Sequence, residues 1–268
     1  MTNLHYLMED PREASRLADK VDSTRWVEHY LGTLLADNAE PGVPPNARVL
    51  DVGCGPAVLL KEVGRRRPDV RCVGVDVSLQ RLSGIEPIRS LTLAAGDANR
   101  LPFAEASFDL IYARMILQYL NNPSAAVAEM VRACRPGGSV LLQDLDGQLV
   151  THYPPDPALD EELQAVLKSL RATGFNPYVG RALYHYAYMA GLSNLKVQVE
   201  GYHVIAGNIS AELRSQWALK IAIARPAIVA ALSDGSEAFI HRFMSFLDRP
   251  DTFTFSQQIT VVGQRPEQ

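Results

Sequence analysis

The sequence is short of several things, and each shortage narrows what the chain can be. Of its 268 residues only three are cysteine, and Cys54, Cys72 and Cys134 are scattered with no C-x-x-C spacing. This argues against a disulfide framework or a thiolate metal site and fits a reducing compartment, so a cytoplasmic protein is expected. The first residues carry no basic stretch followed by an apolar run, and no signal peptide is expected. Long hydrophobic runs are missing too. The most apolar late stretch, 219-LKIAIARPAIVAAL-232, is too short for a bilayer and is broken by Lys220, Arg225 and Pro226. Positive charge is in deficit: the net charge is −4, and the one basic cluster, Arg65-Arg66-Arg67, falls where a helix should end and complements its dipole. Without a basic stripe interleaved with aromatics, no nucleic-acid partner is expected. H-E-x-x-H, G-x-S-x-G and paired-carboxylate arrangements are absent, which disfavours metal-dependent hydrolysis and serine chemistry and leaves no metal expected.

What is present is a regular rhythm. Strand-like runs occur at 48-RVLDV-52, 71-RCVGVD-76, 91-LTLAA-95, 108-FDLIYA-113 and 139-SVLLQDL-145. Their hydrophobicity is continuous rather than alternating, as in parallel strands buried on both faces. Helical or turn-rich segments separate them, most clearly 123-PSAAVAEMVRAC-134, with Asn122 as cap and Pro123 at the first position. This βαβ order predicts an open, doubly wound α/β sheet. Residues from about 10 to 37 read as a helix with Trp26, Tyr30 and Leu34 on one face, and 41-PGVPPNA-47 as a linker. After residue 150 the rhythm changes. The segment 150-VTHYPP-155 reads as a loop, 158–173 and 178–191 as helices, and 195-LKVQVEGYHV-204 and 253-FTFSQQITVVG-263 as strands. The mostly helical stretch 210–248 between those strands reads as an extra lobe.

The first strand breaks into Gly53 and Gly55, which allow close approach of backbone to a ligand. A dinucleotide fingerprint would want a third glycine at position 58, where the chain has Val58, and Pro56 removes one N–H from any phosphate cradle. Asp76, at the end of the second strand, can accept from both hydroxyls of a ribose, and Asp97, after the third, can read an adenine amino group. Each aspartate alone is equally a cap or turn residue. Together the three features lie at the C-terminal ends of consecutive strands, where open α/β sheets bind ligands.

VLDVGCGPA, VGVDVS, AGDANRLPFAEASFDLIYARMILQYL and RPGGSVLLQDLD, in that order and spacing over 48–145, resemble the successive motifs of class I S-adenosylmethionine-dependent methyltransferases. The similarity is greatest to the small-molecule group that includes the ubiquinone/menaquinone methyltransferases. The resemblance implies a Rossmann-like, mostly parallel seven-stranded sheet whose last strand is antiparallel, with S-adenosylmethionine across strands one, two and four. It further implies a division into an N-terminal helical lid and linker (1–47), a cofactor-binding α/β core with substrate-side helices (48–204), a helical insertion (205–252) and the final antiparallel strand (253–268). Carried over by position, Asp51, Gly53 and Gly55 would line the methionine half of the cofactor. Asp76 would hold the ribose, Val77 would pack on the adenine, and Asp97 and Ala98 would read its edge. Arg114 and Met115 would run beside the methionine and sulfonium, with Gln118 one turn further, and Tyr6 and Arg16 would cover the site. Ala57 departs from the family, which usually has a glycine there.

A base is needed only if the accepting atom must lose a proton. The candidates are His152 and His203, with His185 a weaker third, although a lone histidine is more often structural. The regions outside the core carry Tyr153, Tyr178, Tyr184, Tyr186, Tyr202, Trp217, Phe243 and Phe246. A small, fairly apolar metabolite methylated on oxygen, nitrogen or carbon is therefore the expected substrate, and a homodimer is compatible with the sequence. The rival readings are a cyclisation or rearrangement in the same cofactor site, a non-catalytic binding module, and a nicotinamide-dependent oxidoreductase.

Overall fold

The five apolar runs pair as parallel strands because each has two faces to bury. Even residues Leu50 and Val52 of the first strand enter one core with Val73, Ile111, Ala113, Val140 and Leu142, while odd Val49 enters the opposite core with Cys72, Leu110, Tyr112 and Leu141. A computed structural model describes residues 22–35, 42–83, 85 and 90–267. The strands are β1 (Arg48–Val52), β2 (Arg71–Asp76), β3 (Leu91–Ala95), β4 (Phe108–Arg114), β5 (Cys134–Tyr153), β6 (Ser193–Ala206) and β7 (Phe253–Gln264). They form one seven-stranded sheet of order β3-β2-β1-β4-β5-β7-β6. Pairing is parallel from β3 through β5, and β7 runs antiparallel to both β5 and β6. The strand order reverses between β1 and β4, so a ligand crevice opens above their C-terminal ends.

One face carries helix α1, made of an α-turn Ser23–Trp26, a π-helical turn Val27–Leu31 and an α-turn Gly32–Leu35, together with α2 (Val58–Arg66). The other carries α4 (Pro123–Ala133) and α6 (Leu183–Met189); the short α3 (Leu79–Ser83) follows β2. As expected, Asn122 caps α4 through Ala125 N, and Pro123 fills its first turn. The basic cluster does end α2, but its members do more than meet a dipole. Arg65 and Arg66 hydrogen-bond Glu62, and buried Arg67 pairs with Asp69 and donates to the carbonyls of Leu35 and Val43, stitching the end of α1 and the linker after it to the end of α2.

Helices α5 (Pro157–Ala172), α7 (Ala211–Leu232) and α8 (Ser236–Leu247) share a third core around Trp217, Phe239, Phe243 and Phe246. The last two lie between β6 and β7, breaking at Ser233, which has φ of 48°. Among the described residues no helix is long and apolar enough to cross a membrane. Two boundaries differ from the sequence reading. The segment 150–155 is not all loop: β5 runs to Tyr153, because β7 starts at Phe253 and supplies Thr254 and Phe255 as partners to His152 and Thr151. The expected helix of residues 10–37 is described only from Ser23 to Leu35, and the proposed covering residues Tyr6 and Arg16 lie outside the described residues.

Candidate active site

The turn after β1 is bound to β2 along its length. Gly53 N and Cys54 N donate to Val75 O at 2.7 and 3.1 Å, and Gly55 N donates to Asp76 Oδ2 at 2.8 Å. Ala57 N donates to Cys54 O, and Pro56 has no N–H. From 53 to 57 every backbone donor is therefore spent or missing, and the turn cannot cradle a pyrophosphate in the way a dinucleotide site does. Gly53 has φ of +74°, and a Cβ there would lie 2.3 Å from Ile116 Cγ2. Gly55 has φ of +51° with nothing within 4 Å of where its Cβ would be, so open space lies over it. Ala57 caps α2 in the left-handed conformation that the family's glycine would take without strain.

Asp76 is buried, and its other oxygen accepts from Ser78 N at 2.9 Å. Beside it Val77 is 67% exposed, an apolar face open to a flat ring. Gly96 N donates to Asp76 O, bringing the end of β3 against β2. Asp97 is exposed at that edge and closes its own turn, Oδ1 accepting from Asn99 N at 2.8 Å, with Ala98 next to it.

Asp51, inside β1, is fully enclosed. Burial pushes its carboxyl up to about 7; the Tyr112 hydroxyl pulls it back, Asp76 adds to the rise, and Arg114 opposes it. Arg114 ends β4 with its guanidinium over Trp26, 6.0 Å from the ring. Its Nε is buried and has no hydrogen-bond partner among the described residues. Met115 follows at φ of +56°, its N–H held by Gln143 O at 2.8 Å. A non-glycine residue there is strained, and such strain persists where neighbours over-determine it. Buried Gln118 reaches back from the 3-10 turn Leu117–Tyr119 to Met115 O. Asp144 of β5, which the sequence did not single out, fixes that turn. Its carboxylate accepts from Gln118 N and Leu145 N, and burial, the largest influence, raises it to about 7. Its only signal was a charge just after the apolar run 140-VLL-142 of a predicted strand.

The structure thus gathers Asp51, Gly53, Gly55, Asp76, Val77, Asp97, Ala98, Arg114, Met115 and Gln118 at or beside the C-terminal ends of β1 to β4. The histidines separate. His152 faces the lobe, its Nε2 3.2 Å from Asp160 Oδ1 of α5 and its ring against Phe246 of α8. His185 is exposed on α6. His203 is buried, at φ of +49°, between Tyr202 and Trp217, with Nδ1 facing Ser256 Oγ and Nε2 facing Lys220 Nζ. Among the described residues no group of three His, Cys, Asp or Glu is placed to hold a metal ion.

The residues fit an adenosyl amino acid. The orphaned Arg114 nitrogen lacks what a ligand carboxylate supplies, and the strained protonation of Asp51 would be relieved by a ligand ammonium. A model of the methyltransferase domain family matches residues 50–142. An uncharacterized methyltransferase of Schizosaccharomyces pombe is 30% identical over 148 residues, 51% of this chain and 53% of that protein, so the chain spans about half its length. A demethylmenaquinone methyltransferase of a Mycobacterium species (strain KMS) is 30% identical over 167 residues, 60% of this chain and 70% of the relative. A phosphoethanolamine N-methyltransferase 2 of Haemonchus contortus, solved in complex with S-adenosyl-L-methionine, shares the fold with a TM-score of 0.59 at 14% identity, over 99% of this chain and 60% of that one. The chain belongs to the methyltransferase domain family, among the class I S-adenosylmethionine-dependent methyltransferases of the small-molecule type.

Proposed function

We propose that this chain transfers the methyl group of S-adenosylmethionine to an oxygen, nitrogen or carbon of a small, fairly apolar metabolite. The observation that carries the reading is the meeting of enclosed Asp51 with the unpartnered Arg114 Nε at the point where the strand order reverses. An acid and a base so placed take the two charges of an amino-acid end. Asp51 holds the ammonium and Arg114 the carboxylate, while the open space over Gly55 admits the body of the ligand. Asp76 accepts from the ribose hydroxyls, Val77 lies under the adenine, and Asp97 with Ala98 meets its edge.

Bound S-adenosylmethionine supplies an electrophilic methyl on a sulfonium, which an acceptor displaces in line while the carbon–sulfur electron pair stays on sulfur. The protein contributes alignment and exclusion of water. Alignment of two bound reactants can provide about 7–11 kcal/mol of the barrier. Met115 and Gln118 bound the methyl-donor end, and the Asp144 carboxylate keeps that turn in register. Where the acceptor is protonated, His203, whose imidazole packs between Tyr202 and Trp217, takes the proton. His152, held by Asp160 and Phe246, is the alternative candidate.

Two measurements test this. Calorimetric titration with S-adenosylhomocysteine is expected to show one site per chain; absence of binding would favour a non-catalytic module. Incubation with S-adenosylmethionine and candidate acceptors is expected to add the mass of one methylene group. Isomerised product without that gain would assign the site to a cyclisation or rearrangement.

A further inference from the structure

Strand β6 ends the sheet on one side, and among the described residues no strand pairs with its outer edge. Its register against β7 shifts between Ser193 and Lys196 and again between Tyr202 and Ile205. Between those shifts the seven residues from Lys196 to Tyr202 pair one to one with β7. An in-register edge of that kind offers a row of backbone N–H and C=O groups to another strand. Lys196, Val197, Gln198 and Val199 are exposed in succession, the two valines at 49% and 57%.

Strand alternation divides these side chains between the two faces of the sheet. Glu200 is on the α1 face, where its carboxylate accepts from the Tyr30 hydroxyl and lies 3.1 Å from His29 Nε2. Gln198 is beside it, its Nε2 3.0 Å from the same ring atom, and Lys196 shares the face by parity. With these contacts made, the Glu200 side chain is still 32% exposed. Val197 and Val199 point to the opposite face. Helix α6 covers that face farther in, packed against β6 and β7, and keeps Tyr184, Tyr188 and Met189 exposed.

We propose that β6 is the seam of a symmetric dimer, pairing antiparallel with β6 of a second copy of this chain about a two-fold axis through Gln198. Charge complementarity selects both the partner and the register. An axis on Lys196 or on Glu200 would set that charge against its own copy. An axis on Val197 or Val199 would set Lys196 opposite Gln198 or Tyr202 and leave both charges without an opposite. The axis on Gln198 sets Lys196 opposite Glu200 twice and Val197 opposite Val199 twice. Opposite charges and β-branched pairs facing across an antiparallel ladder are favourable, and like charges are not. Stable interfaces bury about 1,200–2,000 Å², more than one short ribbon presents. The same axis brings the two α6 helices to one side of the joined sheet, and Tyr184, Tyr188 and Met189 supply the remainder.

Sedimentation velocity of the full chain is expected to give twice the mass of one chain. Lys196→Glu sets like charges opposite each other in both pairs and should weaken association at least about tenfold, as should Glu200→Lys. Mixed one to one, the Lys196→Glu and Glu200→Lys chains should associate with each other, because each then meets opposite charges. Gln198→Cys, on the axis, should cross-link two chains on mild oxidation, whereas Val204→Cys, outside the ribbon, should not. Cys54, Cys72 and Cys134 are buried and do not compete. The cross-linking arm stands even if the Glu200→Lys chain, which loses its contacts with α1, does not fold. A wild-type chain that stays monomeric overturns the proposal. So does a dimer that Lys196→Glu leaves intact or that Gln198→Cys fails to cross-link.

Discussion

Gly55 and Asp76 are joined by a hydrogen bond from the backbone N–H of the first to Oδ2 of the second, 2.8 Å long, which ties the glycine turn of β1 to the acid that ends β2. One carboxylate therefore both shapes the turn and, in our reading, receives the ribose. Replacing Asp76 by Ala should weaken S-adenosylhomocysteine binding by about 1–3 kcal/mol, the range for a buried charged hydrogen bond. Calorimetry measures this directly, and an unchanged affinity would contradict the ribose assignment.

The two glycines of that turn should fail in different ways. Gly53→Ala drives a Cβ to 2.3 Å from Ile116 and strains a φ of +74°, so stability should fall by about 2–5 kcal/mol. Gly55→Ala meets no atom and should lose only about 1–2 kcal/mol of stability to its φ of +51°. Its methyl would nonetheless occupy the space assigned to the cofactor, so binding should suffer more than folding does. Denaturant melts paired with ligand titrations separate the two; a stable, tightly binding Gly55→Ala protein would remove the cofactor from that position.

The sheet was legible in the sequence because parallel strands buried on both sides advertise themselves. Leu50 and Val49 are neighbours that enter opposite cores, and no local signal but continuous hydrophobicity is needed to say so. The glycine turn, Asp76 and Asp97 were legible for a related reason: strand ends are fixed by the strands. Beyond Leu145 the pattern stops informing. Thr151 and His152 are in a strand because β7 pairs with them across a large sequence separation, and no continuous apolar run in 150–155 announces it. Asp144 was passed over because complete burial of a charge is a tertiary fact. His203 was singled out, yet its left-handed backbone could not be read from the sequence, because positive φ is uncommon for any residue but glycine.

Stability should depend on pH in a direction set by the enclosed aspartates. Asp51 and Asp144 are raised to about 7 by burial, against an unfolded value near 3.8. Between those values the folded chain holds protons that the unfolded chain has released, so stability declines as pH rises through that interval. Glu62 and Asp69 act oppositely. Hydrogen bonds from Arg65 and Arg67 lower them to about 2, and the stability they provide above about pH 4 is lost as pH falls toward 2. Scanning calorimetry should therefore find the highest Tm near about pH 4, with a falling limb toward pH 7 that is shallower in Asp51→Asn. Because a ligand ammonium needs Asp51 ionised, affinity for S-adenosylhomocysteine should rise over the same interval. A Tm that climbs steadily from about pH 5 to 7 would show that these two carboxyls are ionised in the folded chain.

Helix α1 is held to the sheet by a buried polar contact as well as by its apolar face. Trp26 Nε1 donates to Gln143 Oε1 at 2.7 Å, and Gln143 Nε2 donates in turn to Thr260 Oγ1 at 2.8 Å. Trp26→Phe keeps an aromatic ring in the core but strands the buried Gln143 oxygen, which should cost about 1–3 kcal/mol of stability. The same indole lies under the Arg114 guanidinium, so its loss also frees the side chain that in our reading holds the ligand carboxylate. The double variant Trp26→Phe, Gln143→Leu removes both partners of the broken bond and should recover part of the stability, the remainder staying lost because buried Thr260 Oγ1 then lacks its donor. It should not recover cofactor affinity, because Arg114 still lacks the indole beneath it. Urea melts and calorimetric titrations on the same proteins distinguish the two effects. If stability and affinity recovered together in the double variant, Trp26 would act on the site through the fold alone, and its contact with Arg114 would have no part in binding.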